Sequence, residues 1–161
     1  MRSEPFDEFV RGATASLLGR ARALAGDPHD AWDLVQETLA RVGERWDRIE
    51  DPAAYASTVM ARLNIDRIRH LRRDLGLRRR LAPAEPVPPP GDGPEAWLVD
   101  GLRTLSPHQR TAVALRYLDD LGVDEIARQL RCRPATARSH LSRGLARLRV
   151  AAPTADRKEM S

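Results

Sequence analysis

Apolar residues recur every three or four positions along two stretches of the chain, from about residue 6 to 80 and from about 96 to 149. This spacing places them on one face of an α-helix, and the alternating runs typical of strands are lacking. In the helix that begins near Pro28, the residues expected to face a core are Trp32, Val35, Leu39, Val42 and Trp46. In the helix that begins near Pro52, they are Tyr55, Val59, Leu63, Ile65 and Ile68. The pattern predicts an all-α fold.

Capping residues mark where three of these helices begin. Asp27 and Asp51 each place a carboxylate acceptor before a proline at the first helical position. Ser106 and Gln109 have the spacing of a capping box, in which each side chain accepts from the other residue's backbone. Helices are therefore predicted to start directly after Asp27, Asp51 and Ser106.

A proline-rich stretch, APAEPVPPPGDGPE at residues 82–95, divides the chain and holds six of its twelve prolines. Such a segment can neither continue a helix nor contribute much to a core. The predicted organisation is a small helical domain over residues 1–80, a flexible linker over 81–96, a second small helical domain over 97–150, and a disordered tail over 151–161.

The second domain has the pattern of a helix-turn-helix unit. Three helices are predicted, from Pro107 to about Leu118, from Val123 to about Leu130, and from Pro134 to about Arg149. Only the residues RCR join the last two, which is the short turn that such a unit requires. The apolar positions of the last helix should pack on the helix before it. They are Ala137, Leu141, Leu145 and Leu148, and their expected partners are Ile126, Ala127 and Leu130.

The opposite face of the last helix then presents Arg138, Ser139, Ser142 and Arg143 to solvent. An arginine can pair with guanine O6 and N7, and a serine can serve several acceptors, so this strip suits base edges in a major groove. Arg147 and Arg149, farther along, suit phosphates. An ordinary three-helix packing unit is the alternative that the pattern leaves open. Gly144, in mid-helix, costs about 1 kcal/mol relative to alanine, and close packing is the reason we expect for it.

The charge balance favours an anionic partner. The chain has a net charge of +4, and every basic residue except Lys158 is arginine, which also fits a GC-rich genome. Eight arginines lie between Arg62 and Arg80. A block this basic at the end of a helix suits a phosphate backbone, and it would suit RNA or a membrane surface equally well.

Other sequence features narrow the class of protein. The single cysteine, Cys132, cannot form an internal disulfide, which favours a reducing compartment. The N-terminus has no apolar signal region, and no stretch approaches the length of a membrane span, so we expect a cytoplasmic protein without membrane insertion. Motifs such as GxSxG and HExxH are absent, the histidines stand apart in sequence, and Cys132 has no second cysteine for a zinc site. We therefore expect no enzyme active site, no metal and no cofactor.

Three stretches together resemble a known family. They are DAWDLVQETLARVGERW, DPAAYASTVMARLNIDRIRHLRR and LRTLSPHQRTAVALRYLDDLGVDEIARQLRCRPATARSHLSRGLARLR. Their order and spacing are similar to those of extracytoplasmic-function (group 4) sigma factors of the sigma-70 family, which retain regions 2 and 4 joined by a linker. The resemblance implies a protein that binds core RNA polymerase and directs it to the -35 and -10 promoter elements. It also implies an anti-sigma factor as a partner.

The resemblance assigns roles to particular positions. It implies core-polymerase binding for Asp33, Leu34, Gln36, Glu37 and Arg41, and recognition of the -35 element for Arg138, Ser139, Ser142 and Arg143. It implies contacts to the -10 element for Arg48, Tyr55, Arg62, Arg67 and Arg69. In the family a -10 base is extruded from the stack into a protein pocket.

The chain departs from the family's pattern at three places. Arg62 stands where many members have an asparagine, and the chain's own Asn64 is two residues out of register. Region 2 offers few aromatic side chains, of which Tyr55 and Trp46 can also belong to a core. Arg133 occupies the N-cap position of the recognition helix, where phosphate contact would compensate for the missing cap. Two other functions stay open, a stand-alone helix-turn-helix regulator and a helical adaptor whose basic face meets RNA or membrane.

Overall fold

The protein, seen here as a computed structural model, is described over residues 4–78 and 96–152. Within these ranges the secondary structure is helical, which confirms the all-α prediction. The elements are α1 (Glu4–Ala25), α2 (Pro28–Glu44), a short 3-10 turn (Trp46–Arg48), α3 (Pro52–Arg78), α4 (Ala96–Thr104), α5 (Pro107–Leu118), α6 (Val123–Leu130) and α7 (Pro134–Ala151). The predicted linker lies outside the described residues except for Ala96, and so does the predicted tail after Ala152.

The predicted capping interactions form at all three helix starts. The Asp27 carboxylate accepts from the backbone N–H of His29 at 2.8 Å and of Asp30 at 3.2 Å. The Asp51 carboxylate accepts from the Ala54 N–H at 3.1 Å. Ser106 and Gln109 form a reciprocal capping box, with both hydrogen bonds at 3.3 Å. These caps explain why α2, α3 and α5 start where the sequence predicts.

The core of the first unit, α1 to α3, differs from the predicted one on α2. The buried stripe of that helix consists of Ala31, Leu34, Val35, Thr38 and Val42. Trp32 lies beside the stripe and is 45% exposed, so its predicted place in the core is wrong. Trp46 packs as predicted, since its ring meets Phe6 and Phe9 at centroid distances of 5.3 and 5.4 Å.

In the second unit, α4 to α7, the apolar face of α7 packs against two different sets of helices. Ala137 packs on α6 with Ile126, Ala127 and Leu130, as predicted. Leu145 and Leu148 instead pack with Leu102, Leu105 and Val113, which belong to α4, the loop after it, and α5. Their predicted contact with α6 is wrong because α6 is short and the later turns of α7 extend past it to α4.

The two units pack against each other. Ala114 of α5 completes the core of α1 to α3, while Ala61 and Ile65 of α3 belong to the cluster that holds α5, α6 and α7 together. Ala23 of α1 lies against the third cluster, around Leu148. The described residues therefore form connected cores rather than two isolated bodies.

Gly144 lies where α7 crosses α5 closely. A Cβ atom at this position would lie 2.8 Å from Val113 Cγ2 and 3.3 Å from the Gln109 carbonyl oxygen, whereas one at Gly12 of α1 would meet nothing within 4 Å. Close packing, the reason expected from the sequence, therefore explains this glycine.

The pair Gly144→Ala and Gly12→Ala tests this explanation. Alanine is favoured over glycine by up to about 1 kcal/mol in a helix interior, so Gly12→Ala should raise the free energy of unfolding. Gly144→Ala should lower it by about 1–3 kcal/mol, because the added methyl group overpacks the crossing. Chemical denaturation of both variants measures the two signs, and a stabilised Gly144→Ala protein would contradict the packing argument.

Candidate nucleic-acid and protein interfaces

The helix-turn-helix strip on α7 faces solvent. Arg138, Ser139, Ser142 and Arg143 are all exposed, and Ala137, Gly144 and Leu148 are buried on the other side of the helix. The geometry thus leaves this face of α7 available to a groove.

The turn before α7 has a defined backbone. Arg131 ends α6 in the left-handed conformation, with φ 53°, and the Cys132 N–H donates to the Ala127 carbonyl at 3.0 Å. Arg133 is the N-cap of α7 and makes no side-chain capping bond, as its residue type predicts. Exposed amides and the positive end of the helix dipole there favour an anion.

The arginines proposed for phosphates differ in their surroundings. Arg133 is exposed beside the turn. Arg147 is also exposed and donates to the Thr104 carbonyl at the end of α4, at 3.2 Å. Arg149 is exposed in the last turn of α7, where it interacts with another residue of the protein.

Two histidines that stand far apart in sequence meet beside this strip. The rings of His108, at the start of α5, and His140, in α7, are stacked with centroids 5.3 Å apart and planes 18° apart. Sequence reasoning missed this pair, because only the crossing of α5 and α7 brings the two residues together.

A cavity of about 590 Å³ brings together three of the residues predicted for the -10 element. It lies at the start of α3, and Arg48, Tyr55 and Arg62 line it. Arg45, at the end of α2, lines it as well and was missed by sequence reasoning, since nothing in the local pattern distinguishes this arginine from others. Tyr55 is half-buried and also packs on the core, as its position in the apolar pattern predicted.

The other two -10 candidates lie elsewhere. Arg67 donates to the Asp30 carbonyl at 2.9 Å, and its guanidinium lies 3.9 Å from the Glu37 carboxylate. It lines a separate cleft of about 310 Å³ together with Asp33. Arg69 is half-buried and lines neither cavity. The structure therefore divides the predicted -10 set into two groups.

The predicted polymerase-binding face of α2 is largely exposed, with one correction. Asp33, Gln36 and Arg41 are exposed, and Glu37, half-buried, lies 3.7 Å from Arg41. Leu34 is fully buried in the core and cannot belong to this face. The exposed indole of Trp32, the residue before Asp33, is the large apolar side chain that α2 presents to solvent.

Comparison with known proteins identifies the family of both halves of the chain. Residues 10–74 match the model of sigma-70 region 2, and residues 96–148 match that of sigma-70 region 4. The RNA polymerase sigma-E factor of Streptomyces coelicolor is 38% identical over 156 residues, which cover 89% of this chain and 84% of that protein.

The chain belongs to the sigma-70 family. An extracytoplasmic-function sigma factor, SigE of Mycolicibacterium smegmatis, is 30% identical over 89% of this chain and 60% of its own length. The sigma factor RpoE of Bartonella quintana, solved with the anti-sigma factor NepR, has the same fold, with a TM-score of 0.63, 22% identity and coverage of 92% of this chain and 97% of that one.

Membership of this family decides between the functions that the sequence left open. The chain is a sigma factor, and the stand-alone regulator is not supported. Sigma factors act in transcription initiation and are not enzymes. Among the helices in the described parts of the chain, none is long and apolar enough to span a membrane.

Cys132 in the helix-turn-helix turn should react slowly with thiol reagents. Burial raises the pKa of its thiol, and a hydrogen bond with the backbone of Ala137 opposes this effect only in part. Because the thiolate is the nucleophile, its alkylation by iodoacetamide at pH 8 should be slower than that of an unstructured cysteine and should accelerate at higher pH. The same protein in denaturant is the control, and equal rates in the two conditions would contradict the effect of burial.

Proposed function

We propose that this sigma factor binds core RNA polymerase through α2, reads the -35 element with α7 and engages the -10 element with the arginine-lined cavity at the start of α3. The observation that carries the proposal is the exposed strip of Arg138, Ser139, Ser142 and Arg143 on the second helix of a helix-turn-helix unit. We further propose that residues 1–80 form the region 2 domain and that residues 97–150 form the region 4 domain.

At the -35 element, the two arginines of the strip would select guanines, and the two serines would accept or donate according to the base that they meet. Arg133, Arg147 and Arg149 would bind phosphates and fix the orientation of α7 in the groove. Each phosphate contact releases counterions, so binding should weaken as salt rises.

At the -10 element, the cavity of about 590 Å³ would receive an extruded base. Tyr55 supplies an aromatic face on which a base can stack, a contact worth about 1–3 kcal/mol. Arg62 offers only hydrogen-bond donors, so a base that it recognises must present acceptors. Arg45 and Arg48 at the rim are suited to the phosphates of the melted strand.

At the polymerase, the mixed-charge face of α2 would dock with Trp32 as its apolar anchor. Tryptophan is among the residues that contribute most to binding energy in protein interfaces. An anti-sigma factor is a second proposed partner, on the strength of the family resemblance. A pull-down from the native cell should recover such a protein beside polymerase, and recovery of polymerase alone would remove it from the proposal.

Reconstituted transcription tests the proposed role. The purified protein with core RNA polymerase should initiate at a defined promoter, while the protein alone should bind the same duplex weakly. Transcripts mapped from the two-component system would show the start site. Tight binding of the protein alone to a palindrome, without co-purification with core enzyme, would overturn the proposal.

Alanine substitutions should separate the two contact surfaces. Arg138→Ala with Arg143→Ala should weaken recognition of the -35 element about 10-fold or more, since a good bidentate base contact contributes about 1–3 kcal/mol, and should leave core binding unchanged. Asp33→Ala with Glu37→Ala should do the reverse. Because the Glu37 carboxylate also lies near Arg67, a residue proposed for the -10 element, the single variant Asp33→Ala tests core binding more cleanly than the double variant. Equal loss of core binding in all four substitutions would refute this partition.

Variants of the cavity should affect promoter melting. Tyr55→Phe keeps the ring, whereas Tyr55→Ala and Arg62→Ala remove contacts to a captured base, so only the latter two should lower permanganate reactivity of -10 thymines. A promoter melted in advance should restore transcription. Arg69→Ala, which lies outside the cavity, serves as the matched control. An equal effect of Arg69→Ala would contradict the assignment of the cavity.

A further inference from the structure

A small cavity between α3 and the helix-turn-helix unit is lined by three arginines. Its volume is about 210 Å³, and the residues that line it are Arg62 and Ile65 of α3, Arg128 and Gln129 of α6, and Arg131 in the turn after α6. Two helices and a turn thus bring together guanidinium groups that are far apart in sequence. The cavity presents a concentration of positive charge and hydrogen-bond donors.

The carboxylates near this cavity leave the positive charge in excess. Arg131 lies 3.8 Å from Asp66, and Arg128 lies 2.8 Å from Glu125. All four side chains are more than half exposed, and exposed ion pairs of this kind stabilise a protein little. Arg62 has no ion pair with any residue that the structure describes. The arginines are therefore able to turn toward an anion at small cost.

The backbone of Arg131 points to a use for its side chain. Its φ is 53°, in the left-handed region where an L side chain carries a steric cost that glycine avoids. The exposed pair with Asp66 offers little compensation for this cost. A further anionic partner in the cavity would explain why an arginine stands at this turn.

Gln129, which lines the same cavity, has an unsatisfied acceptor. Its Oε1 atom is buried and accepts no hydrogen bond from the described residues. Because a buried acceptor without a donor is costly, a ligand that supplies a donor is favoured. The lining therefore suits a ligand with charged oxygens for the arginines and a hydroxyl group for this amide.

We propose that this cavity binds inorganic phosphate. At neutral pH phosphate carries at least one P–O–H group, which would donate to Gln129 Oε1, while its charged oxygens accept from the three guanidinium groups. Arginine matches phosphate oxygens in a bidentate geometry. The cavity is smaller than the about 300–1,000 Å³ typical of sites for drug-sized ligands, so it suits a free oxyanion rather than a nucleotide. A phosphodiester backbone has no hydroxyl group to donate and suits it less well.

Arg62 connects this site to the proposed promoter contacts. It lines both the phosphate cavity and the cavity of about 590 Å³ proposed for the -10 base. A guanidinium that holds phosphate is not available to a base, so phosphate should compete with the -10 element. This competition rests on the proposed function, whereas phosphate binding itself does not.

Phosphorus NMR of inorganic phosphate, titrated with the full-length protein at constant ionic strength, tests the site. Binding should saturate in the millimolar range or below, and Arg128→Gln should weaken it about 10-fold, because a hydrogen bond to a charged group is lost. Arg11→Gln, an exposed arginine of α1 outside the cavity, is the matched control and should bind as the wild type does. Absence of saturation, or equal weakening by both variants, would overturn the proposal.

Sulfate separates the role of Gln129 from simple charge attraction. Sulfate has the shape of phosphate and a full double charge at neutral pH, but no hydroxyl group. Charge alone would favour sulfate, whereas the donated hydrogen bond should favour phosphate about 5-fold or more. Gln129→Met removes the acceptor and should abolish this preference. A wild type that prefers sulfate would contradict the choice of phosphate as the ligand.

Arg131→Gly separates the side chain from the fold. Glycine suits a φ of 53°, so this variant should be at least as stable as the wild type. It should nevertheless bind phosphate as weakly as Arg128→Gln does. A folded Arg131→Gly protein with wild-type affinity for phosphate would refute the site.

Transcription distinguishes the phosphate site from the proposed function. Phosphate should raise the concentration of wild-type sigma factor needed for half-maximal open-complex formation, and it should affect Arg128→Gln less. The same effect on both proteins would refute the competition through Arg62. If the protein binds phosphate but directs no transcription in its absence, the proposed function fails and the phosphate site stands.

Discussion

Helix α5 contributes buried residues to all three hydrophobic clusters of the described residues. Five consecutive residues, Thr111 to Leu115, are buried, whereas an amphipathic helix buries only one stripe. Ala114 enters the core of α1 to α3, Val113 meets Leu148, and Leu115 packs in the cluster with α6. The middle of α5 therefore leaves no free face, while Arg116, Tyr117 and Leu118 at its end are exposed, and the positions of α3, α6 and α7 are all set relative to this middle part.

The helices and their starts could be predicted because their causes are local. A carboxylate before a proline fixes the beginning of α2 and α3 through contacts within three residues. The exposed strip on α7 followed from spacing for the same reason. The errors arose where a neighbour decides the outcome: Trp32 has the right spacing for a core, but the stripe of α2 that meets the other helices is centred on Leu34 and Val35.

Contacts between distant residues left no trace in the local pattern. Arg20 and Asp119 lie 99 positions apart, and Asn64 and Thr111 lie 47 apart. His108 and His140 meet only because α5 and α7 cross. The cavity at the start of α3 contains residues of both kinds. The family resemblance predicted three of them, whereas Arg45 lines the cavity because of the turn that ends α2, which the local pattern does not show.

Apolar and polar side chains contribute differently to the contact between the two units. Alanines such as Ala61 and Ala114 bury little area per residue, but Ile65 of α3 and Leu115 of α5 are buried in the same contact, so its apolar part also includes large side chains. Buried polar pairs contribute modestly to net stability, but they penalise every arrangement in which one partner is left unsatisfied. The polar pairs therefore favour one orientation of the two units. Each unit also has apolar contacts of its own, since α1 to α3 pack around Phe6 and Met60 and α7 packs with α4 and α6.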